Sequence, residues 1–254
     1  MAPKSTPARA RSAPAHATEF RRLLLRWFRR HGRDLPWRRT RDPYHVTVAE
    51  FMLQQTQVTR VEAYYHRFLD RYPTVESLAR SDPAMVREAW AGLGYYRRAA
   101  NLHLLAQTVV AEHAGIIPSD PERLLALPGV GRYTAGAVAS FAYERATPAI
   151  DTNVARVIRR AFHPRLAPRG QDHRLWETGA AIMPRRSGGT AWAFNQAIME
   201  LGALICTARV ARCEECPVRR ACRTGRRSIG RGTDAEGRET ERAVGQAAGR
   251  SARS

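Results

Sequence analysis

The chain has 254 residues and a formal charge of +19, which comes from 42 basic and 23 acidic side chains. Hydrophobic residues make up 44% of it, which excludes wholesale disorder and is enough to form a core. No apolar run approaches the length of a membrane span, and the amino terminus lacks the apolar segment of a secretory signal. We therefore expect a soluble, cytoplasmic protein, with no membrane contact, whose partner is a polyanion.

The positive charge is not confined to the ends of the chain. Residues 1–17 carry +3 and residues 223–254 carry +4, which leaves +12 on residues 18–222. An excess of this size on the folded part favours nucleic acid binding by the fold itself. Both ends lack apolar periodicity and are rich in alanine, proline, serine, arginine and glycine. We predict two disordered basic tails, 1–17 and 223–254, around one folded region, 18–222.

The folded region shows helical periodicity and no convincing pair of strands, so the predicted fold class is all-α. A first helix from Thr18 to Gly32 has apolar side chains at the i, i+3, i+4, i+7 spacing of one helix face. Pro43 suits the first turn of the next helix. Further helices are predicted at about 59–71, 82–91, 95–113, 119–127, 134–144, 152–162, 171–183 and 190–205.

The segment LPGVGRYT connects two of these predicted helices. Pro128 ends the first helix, while Gly129 and Gly131 permit a tight connection. Unpaired N–H groups and the dipole at the start of the second helix then form an anion site that suits a duplex phosphate. A lone G-x-G turn is more often an ordinary connection. In a basic all-α chain, however, PGVG between two helices resembles the helix–hairpin–helix DNA-binding element.

The chain has four cysteines, and all of them lie in one short stretch with the spacing C-x6-C-x2-C-x5-C. They are Cys206, Cys213, Cys216 and Cys222. The absence of an export signal disfavours disulfides, so four clustered thiols indicate a metal site. Spacing alone leaves two alternatives open, because tetrahedral zinc and a four-iron cluster both accept four cysteines.

Two carboxylates are candidates for catalysis. Glu50 is the only charge in VTVAEFMLQQTQV, where burial would raise its pKa and suit it to act as a general acid. The same pattern equally allows a solvated glutamate on a polar helix face. Asp151 directly precedes a predicted helix and, taken alone, would be an N-cap. In a DNA-binding fold, the pair suggests cleavage of an N-glycosidic bond after the base has left the stack.

Six segments in order resemble one known family. They are AEFMLQQTQV, GLGYYRRAANLH, LPGVGRYTAGAV, IDTNVARV, FNQAIMELGALIC and the cysteine stretch. Together they resemble the adenine DNA glycosylase branch of the helix–hairpin–helix, or endonuclease III, superfamily over residues 18–222. The resemblance implies two helical lobes and a C-terminal loop in which the four cysteines bind a [4Fe-4S] cluster. It also implies a monomer, associated with the nucleoid, that acts on mismatched double-stranded DNA.

The resemblance implies a role for each catalytic candidate. Glu50 would protonate adenine at N7, Asp151 would stabilise the cationic sugar or bond to it transiently, and Asn153 would hold the site. Tyr133 stands where lyase-active relatives have a Schiff-base lysine. Because the only lysine in the chain is Lys4, a lysine-dependent lyase step is excluded and a monofunctional glycosylase is expected.

The resemblance also implies a set of DNA-binding residues. Three of them would enter the helix or contact the opposite base, namely Gln54, Gln55 and Tyr95. Trp37 and Arg38 would help to line the base pocket. Gly129 and Gly131 would present backbone amides to a phosphate.

The sequence departs from the family in one respect and leaves two other functions open. Only 32 residues follow Cys222, whereas full-length adenine glycosylases carry a C-terminal domain that recognises 8-oxoguanine. We therefore do not expect strong discrimination for the oxidised base. The absence of this domain favours the first alternative, a mismatch thymine or uracil glycosylase. The second is a non-catalytic iron–sulfur DNA-binding module, which the presence of both carboxylates disfavours.

Overall fold

A computed structural model describes residues 13–167 and 172–227 of the chain. Within these ranges the regular structure is helical, apart from one isolated antiparallel bridge between Cys206 and Ala211, which confirms the all-α prediction. Two 3-10 helices span Pro36–Arg38 and Arg219–Ala221. The α-helices are α1 Ala17–His31, α2 Pro43–Leu53, α3 Val58–Arg71, α4 Val75–Ala79, α5 Pro83–Ala89, α6 Arg97–Glu112, α7 Pro121–Leu125, α8 Arg132–Phe141, α9 Thr152–Phe162, α10 Asp172–Ile182 and α11 Gly189–Leu204.

Three helices begin at an Asp-Pro pair, which is why their starts can be read from the sequence. The aspartates are Asp42, Asp82 and Asp120, and each side chain accepts a hydrogen bond from a backbone N–H in the first turn. The proline that follows loses nothing there, because its missing N–H would have no helical partner. None of the described helices combines the length and the hydropathy that a bilayer crossing requires.

Helix α4 is not predicted from the sequence. Its five residues are too few for a periodic pattern, and its start is a capping box in which Ser77 takes the position usually held by Glu or Gln. The side chain of Thr74 accepts from the Ser77 N–H, and the Ser77 hydroxyl in turn accepts from the Thr74 N–H. Local hydrogen bonds therefore define the start of this helix, and Val75 and Leu78 are its buried side chains.

The described helices form two units, in keeping with the two lobes that the resemblance implies. Among the described residues, the first unit draws on 13–27, 152–167, 172–182 and 198–227, and its core includes an edge-to-face contact between Phe20 and Phe162. The second unit draws on Phe28–Asp151 and Met183–Ala197. Its core includes a T-shaped pair formed by Phe68 and Trp90, with ring centroids 5.6 Å apart.

Helix α2 lies inside the second unit. Eight of its eleven residues are buried, and it packs against α3, α6 and α8. A helix that is apolar on nearly every side is stable only when it is surrounded by protein. Glu50 is therefore carried into the interior together with its apolar neighbours.

The ends of the described region extend beyond the predicted fold boundaries. Residues 223–227 belong to the tail predicted from the sequence, yet the Thr224 hydroxyl donates to the Arg160 carbonyl (2.7 Å) and Gly225 is buried. Residues 13–16 likewise lead directly into α1. The remainder of the two predicted tails lies outside the described residues.

A close approach within the second unit depends on Gly136 of α8. A Cβ atom at this position would lie 2.3 Å from the carbonyl oxygen of Pro148. The absence of a side chain therefore lets α8 lie directly against the segment that leads to Asp151.

We predict that Gly136→Ala lowers the free energy of unfolding by about 1–3 kcal/mol, because the backbone at Pro148 must move to make room. Urea unfolding followed by circular dichroism measures the change. Gly189→Ala is the matched control, since a Cβ there has no neighbour within 4 Å. Equal stability of the two variants would contradict the predicted clash.

Candidate active site

Glu50 lies in the interior, with only 3% of its surface exposed. Burial raises the pKa of its carboxyl to about 7. The hydrogen bond from Tyr133 and the charge of Arg38 oppose this rise, while the negative charge of Asp151 adds to it. The alternative of a solvated glutamate on a polar face is therefore wrong, because the helix has no solvent-facing side at this position.

The Tyr133 hydroxyl donates a hydrogen bond to Glu50 Oε2 at 2.7 Å. Tyr133 is the second residue of α8, directly after the PGVG turn, so the turn and the helix start together set its position. Burial, together with the charge of Glu50, raises the pKa of Tyr133 well above its usual value. The hydroxyl therefore stays protonated and keeps its role as donor to the carboxyl.

Asn195, on α11, anchors the segment that leads to Asp151. Its side-chain amide donates to the Ser140 hydroxyl and to the Thr147 carbonyl, both at 2.8 Å, and accepts from the Ala149 N–H at 3.3 Å. These bonds join α8, residues 147–149 and α11 through one buried side chain. Sequence reasoning assigned no role to Asn195, although a polar residue in the apolar stretch FNQAIMELGALIC is a signal that it has buried partners.

Arg38 and Trp37 lie on the short 3-10 helix before α2, and the structure gives them different surroundings. Arg38 Nε donates to Gln196 Oε1 at 2.7 Å, and Arg38 Nη1 donates to the Arg33 carbonyl at 2.9 Å. Trp37 is 8% exposed and packs edge-on against Tyr65. Arg38 therefore acts electrostatically on Glu50, while Trp37 anchors the 3-10 helix in the core.

The PGVG turn has the geometry that its glycines predict. Gly129 has φ +72°, and a Cβ there would lie 2.6 Å from the Asn101 Cβ, so both conformation and space require glycine. Gly131 is the exposed N-cap of α8 and makes no side-chain cap hydrogen bond. A Cβ atom added at Gly131 would have no neighbour within 4 Å apart from the adjoining residues. The start of α8 is therefore open to an approaching anion.

Gln55 and Tyr95 are exposed residues in strained backbone conformations. Their φ angles are +58° and +48°, in the left-handed region that favours glycine. Gln55 lies between α2 and α3, and Tyr95 lies before α6 with 60% of its surface exposed. Gln54, the C-cap of α2, is half-buried. Strain of this kind persists only where neighbouring contacts enforce it.

Asn153, on α9, belongs to a hydrogen-bonded group in the first unit. Its Oδ1 accepts from the guanidinium of Arg156 at 2.8 Å. The same guanidinium donates to the carbonyls of Gly202 and Cys206, each at 2.8 Å. Arg156, to which sequence reasoning assigned no role, therefore connects Asn153 to the beginning of the cysteine stretch.

The four cysteines line a single pocket in the first unit, together with Phe20, Val157 and Arg160. Arg160 donates to Cys206 Sγ at 3.3 Å, and the Gly225 N–H donates to Cys222 Sγ at 3.4 Å. Among the described residues, no set of three or more His, Cys, Asp or Glu side chains is arranged to hold a single metal ion.

The raised pKa of Glu50 has a consequence for stability. The folded state holds the proton up to about pH 7, whereas an unfolded glutamate releases it near pH 4.3, so stability falls as the pH rises between these values. Glutamine has no carboxyl to ionise. We therefore predict that the free energy of unfolding of Glu50→Gln falls by about 3 kcal/mol less over this pH range than that of the native chain.

Urea unfolding between pH 4.5 and 8 measures the free energy of unfolding of both proteins. We expect the value for the variant minus the value for the native chain to rise with pH. Glu122→Gln is the control, because Glu122 is exposed. Parallel pH profiles for the native chain and Glu50→Gln would contradict burial of the carboxyl.

The chain is similar in sequence to known base excision repair proteins. The model of the HhH-GPD superfamily base excision DNA repair protein matches residues 48–176. The adenine DNA glycosylase of Mycolicibacterium smegmatis is 46% identical over 77% of this chain and 66% of its own length. That of Mycobacterium tuberculosis is 44% identical over 85% and 70%. The chain thus spans about two thirds of the length of these relatives.

The fold resembles that of solved glycosylases. The structure of a thermostable thymine-DNA glycosylase superposes with a TM-score of 0.76, covers 84% of this chain and 97% of its own, and is 30% identical. Identity is thus higher to the adenine enzymes than to the thymine enzyme. The chain belongs to the HhH-GPD superfamily of base excision DNA repair proteins and, within it, to the adenine DNA glycosylase family.

Proposed function

We propose that this chain is a monofunctional DNA glycosylase that removes adenine mispaired with guanine or 8-oxoguanine in double-stranded DNA. The observation that carries the proposal is the buried Glu50 carboxyl, with a pKa of about 7 and a hydrogen bond from Tyr133. It is a proton donor suited to neutral pH in a chain of a base excision repair family. The protein acts as a monomer associated with the nucleoid.

Glu50 supplies the proton for base departure. With a pKa of about 7, a large fraction of the carboxyl is protonated at neutral pH. Tyr133 donates to Oε2, which leaves Oε1 to carry the transferable proton. In the proposed step Glu50 protonates adenine N7, the bond between N9 and the sugar C1′ breaks, and the bonding electron pair leaves with the base. Protonation makes adenine a better leaving group, which is the contribution of a general acid.

Asp151 supplies the negative charge that the sugar requires. Departure of the base leaves an oxocarbenium-like cation, which a carboxylate stabilises or captures transiently before water adds at C1′. Asn195 and Gly136 hold the segment before Asp151 against α8. Asn153 completes the proposed catalytic set at the start of α9.

The proposed DNA contacts follow the surfaces that the chain exposes. Gly129 and Gly131 present the N–H groups at the start of α8 to a phosphate. Gln54, Gln55 and Tyr95 contact the opposite base or fill the space that the extruded adenine leaves. Arg38 and Trp37 support the base pocket from the 3-10 helix.

The reaction ends at the abasic site. Imine formation with the sugar needs an amine, and Tyr133 offers only a phenol that is already bonded to Glu50. The only lysine is Lys4, outside the described residues. We therefore propose hydrolysis without strand cleavage.

We also propose that Cys206, Cys213, Cys216 and Cys222 bind a [4Fe-4S] cluster. The thiols share one pocket, and Arg160 and the Gly225 N–H already donate to two of the sulfurs, as is typical of such clusters. Burial raises the pKa of Cys216 to about 12, so metal coordination is needed to hold it as a thiolate. When bound, the cluster supplies four covalent cross-links that stabilise the end of the fold.

We predict release of adenine from duplexes that contain A·8-oxoG or A·G pairs, detected as alkali-labile strands. The panel includes T·G and U·G duplexes, because a thymine-DNA glycosylase shares the fold at 30% identity. Borohydride treatment without alkali is expected to trap no adduct. Release from none of the duplexes would leave the non-catalytic DNA-binding module as the function, and release only from T·G or U·G would replace adenine as the substrate.

We predict that Glu50→Gln binds the A·G duplex but excises adenine about 10²–10⁴-fold more slowly, because the amide cannot donate the proton. In the native enzyme the rate is expected to fall as the pH rises through about 7, where Glu50 loses its proton. Single-turnover assays measure both effects. Glu122→Gln serves as the control with native activity, and an unchanged rate for Glu50→Gln would remove Glu50 from the acid role.

We predict that the purified protein has broad visible absorbance and contains four irons and four sulfides per chain, as expected for a [4Fe-4S] cluster on four cysteines. Cys213→Ala should lower the iron content and the melting temperature. Bound zinc in a colourless native protein would refute the cluster.

A further inference from the structure

The guanidinium of Arg98 is the most extensively bonded side chain described for the second unit. Arg98 is the second residue of α6 and is 7% exposed. Its Nη1 donates to three carbonyls at 2.5–2.9 Å, those of Phe51, Met52 and Gln54. Its Nη2 donates to the Thr56 hydroxyl at 2.9 Å and to the carbonyls of Gly94 and Leu93 at 3.1 and 3.2 Å.

Phe51 and Met52 lie in the last turn of α2, and the other four partners belong to two separate loops. The first, residues 54–57, joins α2 to α3, and we call it the glutamine loop. The second, residues 90–96, joins α5 to α6, and we call it the tyrosine loop. One planar group donates to both, so the position of each loop depends on the other through Arg98.

The bonds fall next to the strained residues. Arg98 holds the carbonyl of Gln54, which directly precedes Gln55, and the carbonyl of Gly94, which directly precedes Tyr95. Gln55 and Tyr95 both have positive φ angles, and the guanidinium fixes the orientation of the peptide unit before each of them. Arg98 therefore supplies the contacts that a left-handed Gln and a left-handed Tyr require.

The charge of Arg98 is compensated without solvent. Five backbone carbonyls accept from it, and its guanidinium lies 5.5 Å from the ring centroids of both Trp90 and Tyr95. Burial lowers the pKa of Arg98, but a guanidinium starts so high that it remains protonated at neutral pH. The last carbonyls of α2 also favour a cation at that helix end. Nε is the one guanidinium nitrogen without a hydrogen-bond partner, so the two terminal nitrogens make all of these bonds.

We propose that Arg98 is a positioning residue for base extrusion, holding the glutamine and tyrosine loops so that Gln55 and Tyr95 enter the duplex as one unit. An extruded base leaves a gap, and a rigid amide and a rigid aromatic ring are suited to fill it by hydrogen bonding and stacking. The inference rests on the proposed glycosylase function. Arg98 is itself buried, so it acts through the two loops rather than on the substrate.

The test measures extrusion separately from chemistry. All proteins carry Glu50→Gln, which stops excision. The duplex carries 2-aminopurine opposite guanine in place of the target adenine, and 2-aminopurine fluoresces when it leaves the base stack. Arg98→Met keeps the aliphatic stem but removes every donor. We expect the fluorescence increase at saturating protein to fall about tenfold, while duplex affinity stays within about threefold, because phosphate contacts are made elsewhere.

Two further variants complete the design. Arg97→Met, at an exposed neighbour, removes the same charge and should leave the fluorescence increase unchanged. Arg98→Lys keeps the charge but cannot donate to both loops at once, so it should also lose the signal and provides the test if Arg98→Met does not fold. Circular dichroism establishes that each variant is folded.

The outcomes separate this inference from the proposed function. Full extrusion by folded Arg98→Met or Arg98→Lys, with an active native enzyme, would overturn the role of Arg98 alone. Loss of duplex binding in parallel with extrusion would also overturn it, since it would show a general structural defect. A native enzyme that releases no base from any duplex would overturn the proposed function, and this inference with it.

Discussion

The placement of one carboxyl group in the apolar interior underlies the site. Helix α2 is buried on nearly every side, so Glu50 loses its solvent and its pKa rises to about 7. A charged glutamate there would be costly, and a neutral one needs a hydrogen-bonding partner, which Tyr133 provides from the start of α8. Burial of Glu50 thus lowers the stability of the fold near neutral pH. It also keeps a proton donor at this pH, which a surface glutamate could not provide.

Two other polar side chains of the second unit's interior connect backbone segments that are distant in sequence. Asn195 joins three segments beside Asp151, and Arg98 joins the glutamine and tyrosine loops. Each makes several hydrogen bonds to backbone groups of different segments, so each favours one arrangement of those segments. Precision at the proposed site and at the proposed DNA-inserting loops therefore comes from buried polar groups outside the catalytic set.

Much of the fold could be predicted from the sequence because its signals are local. Asp-Pro pairs mark the starts of α2, α5 and α7, and periodic apolar residues mark α1, α3 and α9. Helix α4 was missed because its capping box uses serine in place of an acidic or amide residue. The contacts of Thr224 and Gly225 could not be predicted, since a polar composition does not reveal packing against Arg160.

The sequence by itself determined which chemical groups are present. A single lysine, four closely spaced cysteines, one glutamate in an apolar stretch and the PGVG turn are matters of inventory and spacing. Only the tertiary structure decided whether Glu50 is buried or solvated, because α2 could present a polar face until α3, α6 and α8 were seen to surround it. It also decided the roles of Asn195, Arg156 and Arg98, whose partners lie up to 55 residues away in the chain, beyond the reach of any local pattern.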